Sequence, residues 1–330
     1  AVVNYNKLSV VRFEIPYAGL LIVREDASSV AVRPEVARNP TDASVSIPAN
    51  GFVLAGTLTT PPAVAGRLRY PAVLLVGGTS PADRDQIVNG VPVFANLARA
   101  LADSGHVVLR YDRRGAGQSG GRTESATIAD YADDAVAAAR WLKRRKDVDD
   151  KRIVVAGYGD GAAAALIAAS RHKDIDGVVT LNASGSRGAD LILQQQQRVL
   201  DSLNLPPAER QARIDLQTKI QAAVIAGSGW EGIPPAMRKQ ADTPWFKSLL
   251  TYDPAPVIAK VKRPILIVHG DLDASIPATE ADKLAALALA RKKIAPPDVV
   301  HIPDADQALS VKGTLSPKLA AAIAEWIKKL

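Results

Sequence analysis

Five short apolar runs, residues 72–76, 106–111, 153–156, 177–181 and 264–268, are each closed by turn residues, and a sixth spans 299–302. Stretches of helical period separate them, the clearest at 91–102, 128–143, 162–170 and, closing the chain, 317–329. Continuous β-branched runs that alternate with helices describe a parallel sheet covered on both faces, with right-handed crossovers. Residues 51–60 alternate apolar with small or polar side chains, as a leading antiparallel strand does. The expected fold class is therefore α/β, a mainly parallel sheet with helices on both faces.

Two segments fall outside this alternation. Residues 1–48 carry β-branched and aromatic runs at 8–15 and 19–23, broken by Pro16, Pro34, Pro40 and Pro48, and read as a small β accessory segment. Residues 189–250 hold no strand pattern, only amphipathic stretches at 189–203, 207–226 and 234–249. A helical insertion there, after the fourth run, would cap the mouth of the sheet where α/β proteins bind ligands. The core is then expected at 49–188 with 251–330. Within the insertion, Gln194, Gln195, Gln196 and Gln197 read as a solvated face.

The absence of cysteine excludes disulfides, thiolate metal sites and a cysteine nucleophile. No run of eighteen apolar residues occurs, so no membrane span is expected. The net charge of +7 comes from basic residues scattered mostly to helix ends, where they complement the helix dipole, and nucleic-acid binding is not expected. No cofactor is implied. A metal site built from His269, Asp271 and Asp273 has unsuitable spacing, because Gly270 and Leu272 suggest a turn. The chain opens at Ala1 without a methionine or a signal-peptide pattern, which fits a processed, extracytoplasmic protein and equally a chain trimmed at its start.

Five loops carry further information. They are Gly77-Gly78-Thr79-Ser80-Pro81-Ala82-Asp83-Arg84-Asp85; Arg110-Tyr111-Asp112-Arg113-Arg114-Gly115-Ala116-Gly117-Gln118-Ser119; Gly157-Tyr158-Gly159-Asp160-Gly161 between a strand and a helix; His269-Gly270-Asp271-Leu272-Asp273-Ala274-Ser275-Ile276-Pro277; and Ile302-Pro303-Asp304-Ala305-Asp306-Gln307-Ala308-Leu309. From about Gly51 to Leu330 the chain resembles the α/β-hydrolase superfamily, specifically bacterial esterases with an HGSGPxDRD loop, an RYDxRGxGxS loop and a GHSEG nucleophile elbow. The resemblance implies that the nucleophile position is Gly159, the triad acid Asp273 and the general base position Gln307. It places the oxyanion loop at Gly78 and Thr79, with Asp160 at the elbow's next position.

Acyl transfer needs a hydroxyl, a base within hydrogen-bond reach and donors for the oxyanion. Gly159 has no side chain to attack with, and Gln307 cannot take a proton at neutral pH. Loss of nucleophile or base alone costs on the order of a millionfold in turnover in well-studied triads. Glycine also relieves a strained elbow position at no steric cost. The expectation is a catalytically inactive pseudo-esterase acting in binding or assembly, through the N-terminal segment or the insertion, or holding a small hydrophobic ligand. The alternative is an esterase-like hydrolase with weak or unconventional activity.

Other residues were candidates for a role at the same site. Asp160 could imitate a carboxylate nucleophile but matches the glutamate of GHSEG, not the central position. Ser184 and Ser186 would line the pocket, with turn and cap chemistry favoured over nucleophilic roles. Of the four histidines, His269 is the best placed. Asp273 is either a leftover triad acid or, as favoured, a carboxylate that orients Gln307 or caps a helix, since an unpaired buried carboxylate is expensive. Trp230, Trp245 and Phe246 would line a ligand pocket or form the insertion's core.

Overall fold

A computed structural model describes residues 36, 38–78, 83–203 and 205–330 in full, together with the backbone of three short N-terminal strands. Its centre is an eight-stranded sheet: β1 (Asp42–Pro48), β2 (Val53–Thr59), β3 (Tyr70–Val76), β4 (Val107–Tyr111), β5 (Val148–Tyr158), β6 (Gly177–Leu181), β7 (Ile265–Gly270) and β8 (Asp298–Ile302). The spatial order is β1-β2-β4-β3-β5-β6-β7-β8. β2 runs antiparallel to both of its neighbours, and β3 to β8 are parallel. This is the α/β architecture expected from the alternating runs.

Successive strand residues serve opposite faces, so each central strand supplies two cores. Along β3, Ala72, Leu74 and Val76 pack toward α2 (Ile128–Lys143), α3 (Asp160–Arg171) and α9 (Ala278–Leu289). Val73 and Leu75 pack toward α1 (Val93–Asp103) and α10 (Pro317–Ile327). The contact of α2 with α3 is built from buried alanines, among them Ala132, Ala135, Ala139, Ala164, Ala165 and Ala168. Small side chains let the two helices approach closely over the sheet.

The strands Val2–Asn4, Ser9–Ile15 and Leu20–Val23 form a separate antiparallel sheet, where a β segment was expected. The expected boundary at residue 48 needs correction. Asp42–Pro48 belongs to the main sheet as its edge strand, joined to β2 through Asn50-Gly51, with Gly51 at φ +84°. An edge strand with one fully buried side chain, Ile47, has little hydrophobic signal to read. Its partner in the turn, an Asn-Gly pair, was the available clue.

Between β6 and β7 lie α4 (Gly188–Asp201), α5 (Pro207–Ala226), α6 (Pro235–Ala241) and α7 (Pro244–Leu250). They share a small core of Ile220, Ala223, Val224, Trp230, Ile233 and Leu250. The stretch 234–249, read as one helix, is two. Pro244 cannot continue a helix, and Thr243 starts a new one by accepting the Phe246 amide at 3.1 Å. The short α8 (Pro254–Ile258) and α9 were not read from sequence; α9 lacks a side-chain cap and is mostly alanine and leucine. Among the described residues no helix is long and apolar enough to cross a membrane.

Two loops flanking the sheet are locked together by buried charge. Arg84 donates to both carboxylate oxygens of Asp112, at 3.1 and 2.6 Å, while its own amide adds a bond of 2.9 Å. Arg110 reaches Asp85 at 3.1 Å and Asp42 at 3.0 Å, and donates to Thr59 Oγ1 at 2.9 Å. Burial pushes the Asp112 carboxyl up, but Arg84 and the loop amides outweigh it and hold the group below the usual carboxylate range. Breaking one side of such a pair strands the other in a dry environment. Arg84→Ala should lower unfolding stability by about 3 kcal/mol in guanidinium titrations; a loss below about 1 kcal/mol would mean that this pair behaves as a solvated surface bridge.

Candidate functional site

The elbow sits where β5 turns into α3. Gly159 has φ 55° and ψ −122°, its amide donates to Leu181 O at 2.9 Å, and its carbonyl accepts from the Ala162 amide at 3.1 Å. Its neighbours are glycine for a different reason. A Cβ at Gly157 would stand 2.5 Å from Ala162 Cα, and one at Gly161 would stand 2.5 Å from Gly77 O. A Cβ at Gly159 would meet no atom of the described residues within 4 Å. Glycine at 159 therefore answers the positive φ, and among the described residues nothing crowds its side-chain direction.

The backbone around the elbow is pinned by residues the sequence did not single out. The Tyr158 hydroxyl donates to Gln307 O at 2.6 Å, and Asn182 Nδ2 donates to the same oxygen at 2.9 Å. Asn182 Oδ1 also accepts the Gly270 amide at 2.9 Å, so one side chain after β6 ties the loops after β7 and β8. Position 307 is thus fixed through its main chain. Its half-buried side-chain amide makes no hydrogen bond among the described residues.

Asp273 follows β7 and is 5% exposed. Its Oδ1 accepts the amides of Ser275 at 2.8 Å and Ile276 at 3.0 Å, while Oδ2 is buried without a partner among the described residues. The carboxylate neither orients Gln307 nor caps a helix, contrary to the favoured expectation; it closes its own loop. Burial without a second partner shows instead as a raised pKa. Burial pushes the group up to about 6, with Asp306 nearby adding to the shift and two loop amides and Arg198 opposing it.

The oxyanion loop also differs from expectation. The Gly78 amide is not free to donate into a cleft, because it bonds to Oε1 of the fully buried Gln86 at 2.8 Å. Gln86 holds a left-handed φ of 47° beneath the loop. Thr79 lies outside the described residues. Asp160 faces Arg113, with 3.5 Å between Oδ2 and Nη1, and its Oδ1 packs so closely on Gly78 that a Cβ there would stand 2.7 Å away. Arg113 in turn stacks on Tyr131, 3.5 Å from the ring centroid.

The remaining candidates are engaged in architecture. Ser184 and Ser186 donate their hydroxyls to the fully buried Glu280 of α9, at 2.5 and 2.9 Å, so they latch the loop after β6 to α9. Lys283 completes the latch, at 2.6 Å from Glu280 and 2.9 Å from Ser186 Oγ. His269 is fully buried; its Nε2 faces Ile276 O at 3.0 Å, and burial depresses its pKa and keeps it neutral. Trp230 lies in the insertion's core, and Trp245 stacks on Phe246, bridging the main and insertion cores. The glutamine tract is not simply solvated: Gln195 and Arg198 donate to Ser275 O at 3.2 and 3.0 Å, seating α4 on the acid loop. Among the described residues no three His, Asp or Glu side chains are grouped to hold a metal ion.

The alpha/beta hydrolase fold profile matches residues 71–306. Esterase EstD of Thermotoga maritima is 27% identical over 230 residues, 70% of this chain and 52% of that enzyme, so the chain spans about half the length of that relative. A hypothetical protein from Pseudomonas aeruginosa superposes with a TM-score of 0.61 at 18% identity, over 92% of this chain and 98% of the other. An esterase of Pyrococcus furiosus does so with a TM-score of 0.56 at 18% identity, over 87% and 92%. At such identities the likeness to the two structures is one of fold.

The state of Asp273 has a measurable consequence. Its folded value near 6 lies above the roughly 3.9 of an unfolded aspartate, so the folded chain binds more protons between these limits. The stabilisation is complete below about pH 4 and is lost as pH rises through about 6, a change of about 3 kcal/mol from this group. The difference in unfolding free energy between the native chain and Asp273→Asn should follow that curve. Parallel pH profiles for the two would contradict the assignment.

Proposed function

The chain belongs to the α/β-hydrolase fold family, and within it we propose a catalytically silent relative of the esterases, one that holds a ligand or partner instead of cleaving an ester. The observation that carries this reading is Gly159: a strand-turn-helix elbow with φ 55°, uncrowded in the side-chain direction among the described residues, from which the attacking group is missing.

In an esterase of this architecture a hydroxyl at the elbow attacks the ester carbonyl while a base takes its proton, and the acid orients that base. Here the chain offers no hydroxyl at 159. The Gln307 amide cannot accept the proton, and the Gly78 amide is committed to Gln86. The unpartnered Oδ2 of Asp273 supports the same reading, since it is the kind of acceptor to which an imidazole N–H would donate. The scaffold, by contrast, is maintained. The Arg84–Asp112 and Arg110–Asp85 pairs hold the loops around the elbow without any need for the chemistry. A role in binding is supported by the insertion, where Val199, Leu203, Ile225 and Met237 remain exposed as apolar contacts for a partner or a small hydrophobic ligand.

A second reading, weak hydrolysis by unconventional chemistry, is favoured by Asp273. A buried carboxyl near 6 is placed to exchange protons close to neutrality, and the Thermotoga relative is named an esterase. Treating the native protein with a fluorophosphonate probe and short-chain nitrophenyl esters separates the two. Silence predicts no covalent label and no saturable turnover above buffer. Stoichiometric labelling with turnover would overturn it, and turnover without labelling that disappears in Asp273→Asn would establish the second reading.

A further inference from the structure

Strands β3 to β8 are parallel, so the segments that lead into them all lie at one end of the sheet, opposite the elbow. Basic residues that look scattered along the chain are thereby gathered in space. Residues 60–69, 104–106, 144–152, 172–176, 259–264 and 290–298, with the closing 328–330, hold sixteen Lys and Arg against six Asp. That surplus exceeds the +7 of the whole chain, so the rest of the chain is net negative.

Contacts between these segments join them into one face. Arg69 reaches Asp150 at 3.5 Å, the Ile153 amide donates to Asp176 at 3.1 Å, and Arg263 donates to Lys173 O at 3.0 Å. Arg291 donates to Val261 O at 3.1 Å and Arg263 O at 2.7 Å, and Lys329 lies 3.7 Å from Asp298. Behind the face, His106 is held neutral by burial first, and then by the charges of Arg67, Lys328 and Arg152 from three of the segments. The exposed Lys146, Lys173, Lys260, Lys262, Lys292 and Lys293 have no side-chain ion pair among the described residues.

Apolar side chains stand among these charges. Leu68 is 85% exposed between Arg67 and Arg69, Val64 in the same loop is 56% exposed, and Leu289, two residues before Arg291, is 63% exposed. The loop is built to present them. Gly66 at φ +78° lets the Arg67 amide donate to Val64 O at 3.0 Å, the Val64 amide donates to the hydroxyl of buried Tyr70 at 3.1 Å, and the Arg67 guanidinium lies over that ring at 4.7 Å.

We propose that this face adsorbs to an anionic phospholipid bilayer, with Leu68 and Val64 entering the boundary between headgroups and acyl chains and the surrounding lysines and arginines lying against the lipid phosphates. The pairing of charge with exposed leucine selects the occupant. A nucleic acid satisfies the charges but offers nothing to an aliphatic side chain, and single strands are gripped by aromatic platforms, whereas these segments contain no Phe, Tyr or Trp. An anionic bilayer meets both requirements, since apolar burial and attraction to lipid headgroups add in peripheral binding. The elbow then points away from the membrane. The inference stands on the opposite end of the sheet and does not depend on the reading of the elbow.

Cosedimentation of the full chain at low ionic strength with vesicles of equal parts phosphatidylglycerol and phosphatidylcholine, and with phosphatidylcholine alone, tests the assignment. Binding is expected to the anionic vesicles only and to fall as salt rises. Leu68→Ser should weaken it about tenfold, the loss of one leucine's burial. Lys292→Glu with Lys293→Glu, at the β8 edge of the face, should weaken it at least as much. Lys219→Glu with Lys239→Glu, an equal change of net charge on the insertion, should leave it unchanged. The proposal is overturned if the anionic vesicles fail to sediment the native chain, or if neutral vesicles do so equally well. A folded Leu68→Ser chain that binds as tightly as the native one would overturn it too, as would an insertion pair as damaging as the 292 and 293 pair. Tighter binding to duplex DNA than to vesicles, indifferent to Leu68→Ser, would assign the face to nucleic acid instead.

Discussion

Helix α3 begins so close to the end of β3 that residues 157 and 161 have no room for a side chain: the first faces Ala162 across the turn, the second the carbonyl of Gly77. This backbone contact sets the exit of the central strand, the position of the oxyanion loop and the left-handed conformation of Gly159 between them. The neighbouring loops are then keyed to the same point. Tyr158 and Asn182 hold the carbonyl of Gln307, Gln86 holds the amide of Gly78, and Arg113 holds Asp160. The site is a rigid frame of main-chain contacts, and the frame would be the same whatever side chain occupied position 159.

That separation between frame and chemistry explains which esterase-like motifs the chain carries. The Asp83-Arg84-Asp85 and Arg110-Tyr111-Asp112 segments look like signatures of a reaction, yet they pair with one another and with β1 as buried ionic cross-links. Loss of either would leave a charge stranded in the protein, so fold stability alone accounts for them. No such cost attaches to 159, where glycine relieves strain, or to 307, where only the main chain is used. Asp273 lies between the two cases. Its Oδ1 shapes the acid loop, and its Oδ2 carries a burial penalty that no present group offsets.

Much of the fold was legible because a parallel sheet writes itself as continuous apolar runs, and residues 177–181 and the helix 128–143 coincide with β6 and α2. What escaped was carried by backbone or by small residues. Asp42–Pro48 pairs through main-chain bonds at an edge, and α9 shows little beyond alanine and leucine. At the site, the resemblance to esterases pointed to positions 159, 273 and 307. Their contacts could not, because Gln86, Tyr158 and Asn182 act through loop carbonyls and amides that leave no pattern in the chain. Ser184 and Ser186 read as pocket-lining from their place after a strand, and their partner Glu280 lies nearly a hundred residues away in the chain, beyond any local pattern.

The proposed silence of this site rests first on the side chains at 159 and 307, which lack a nucleophile and a base within a frame of main-chain contacts. The double substitution Gly159→Ser with Gln307→His tests it most directly, with fluorophosphonate labelling as the readout. A hydroxyl at 159 would enter the open direction, and an imidazole at 307 would donate to the unpartnered Oδ2 of Asp273. The account predicts stoichiometric labelling of the double variant and little labelling of either single variant. A folded double variant as inert as the native chain would contradict it, because the frame would then lack the geometry described.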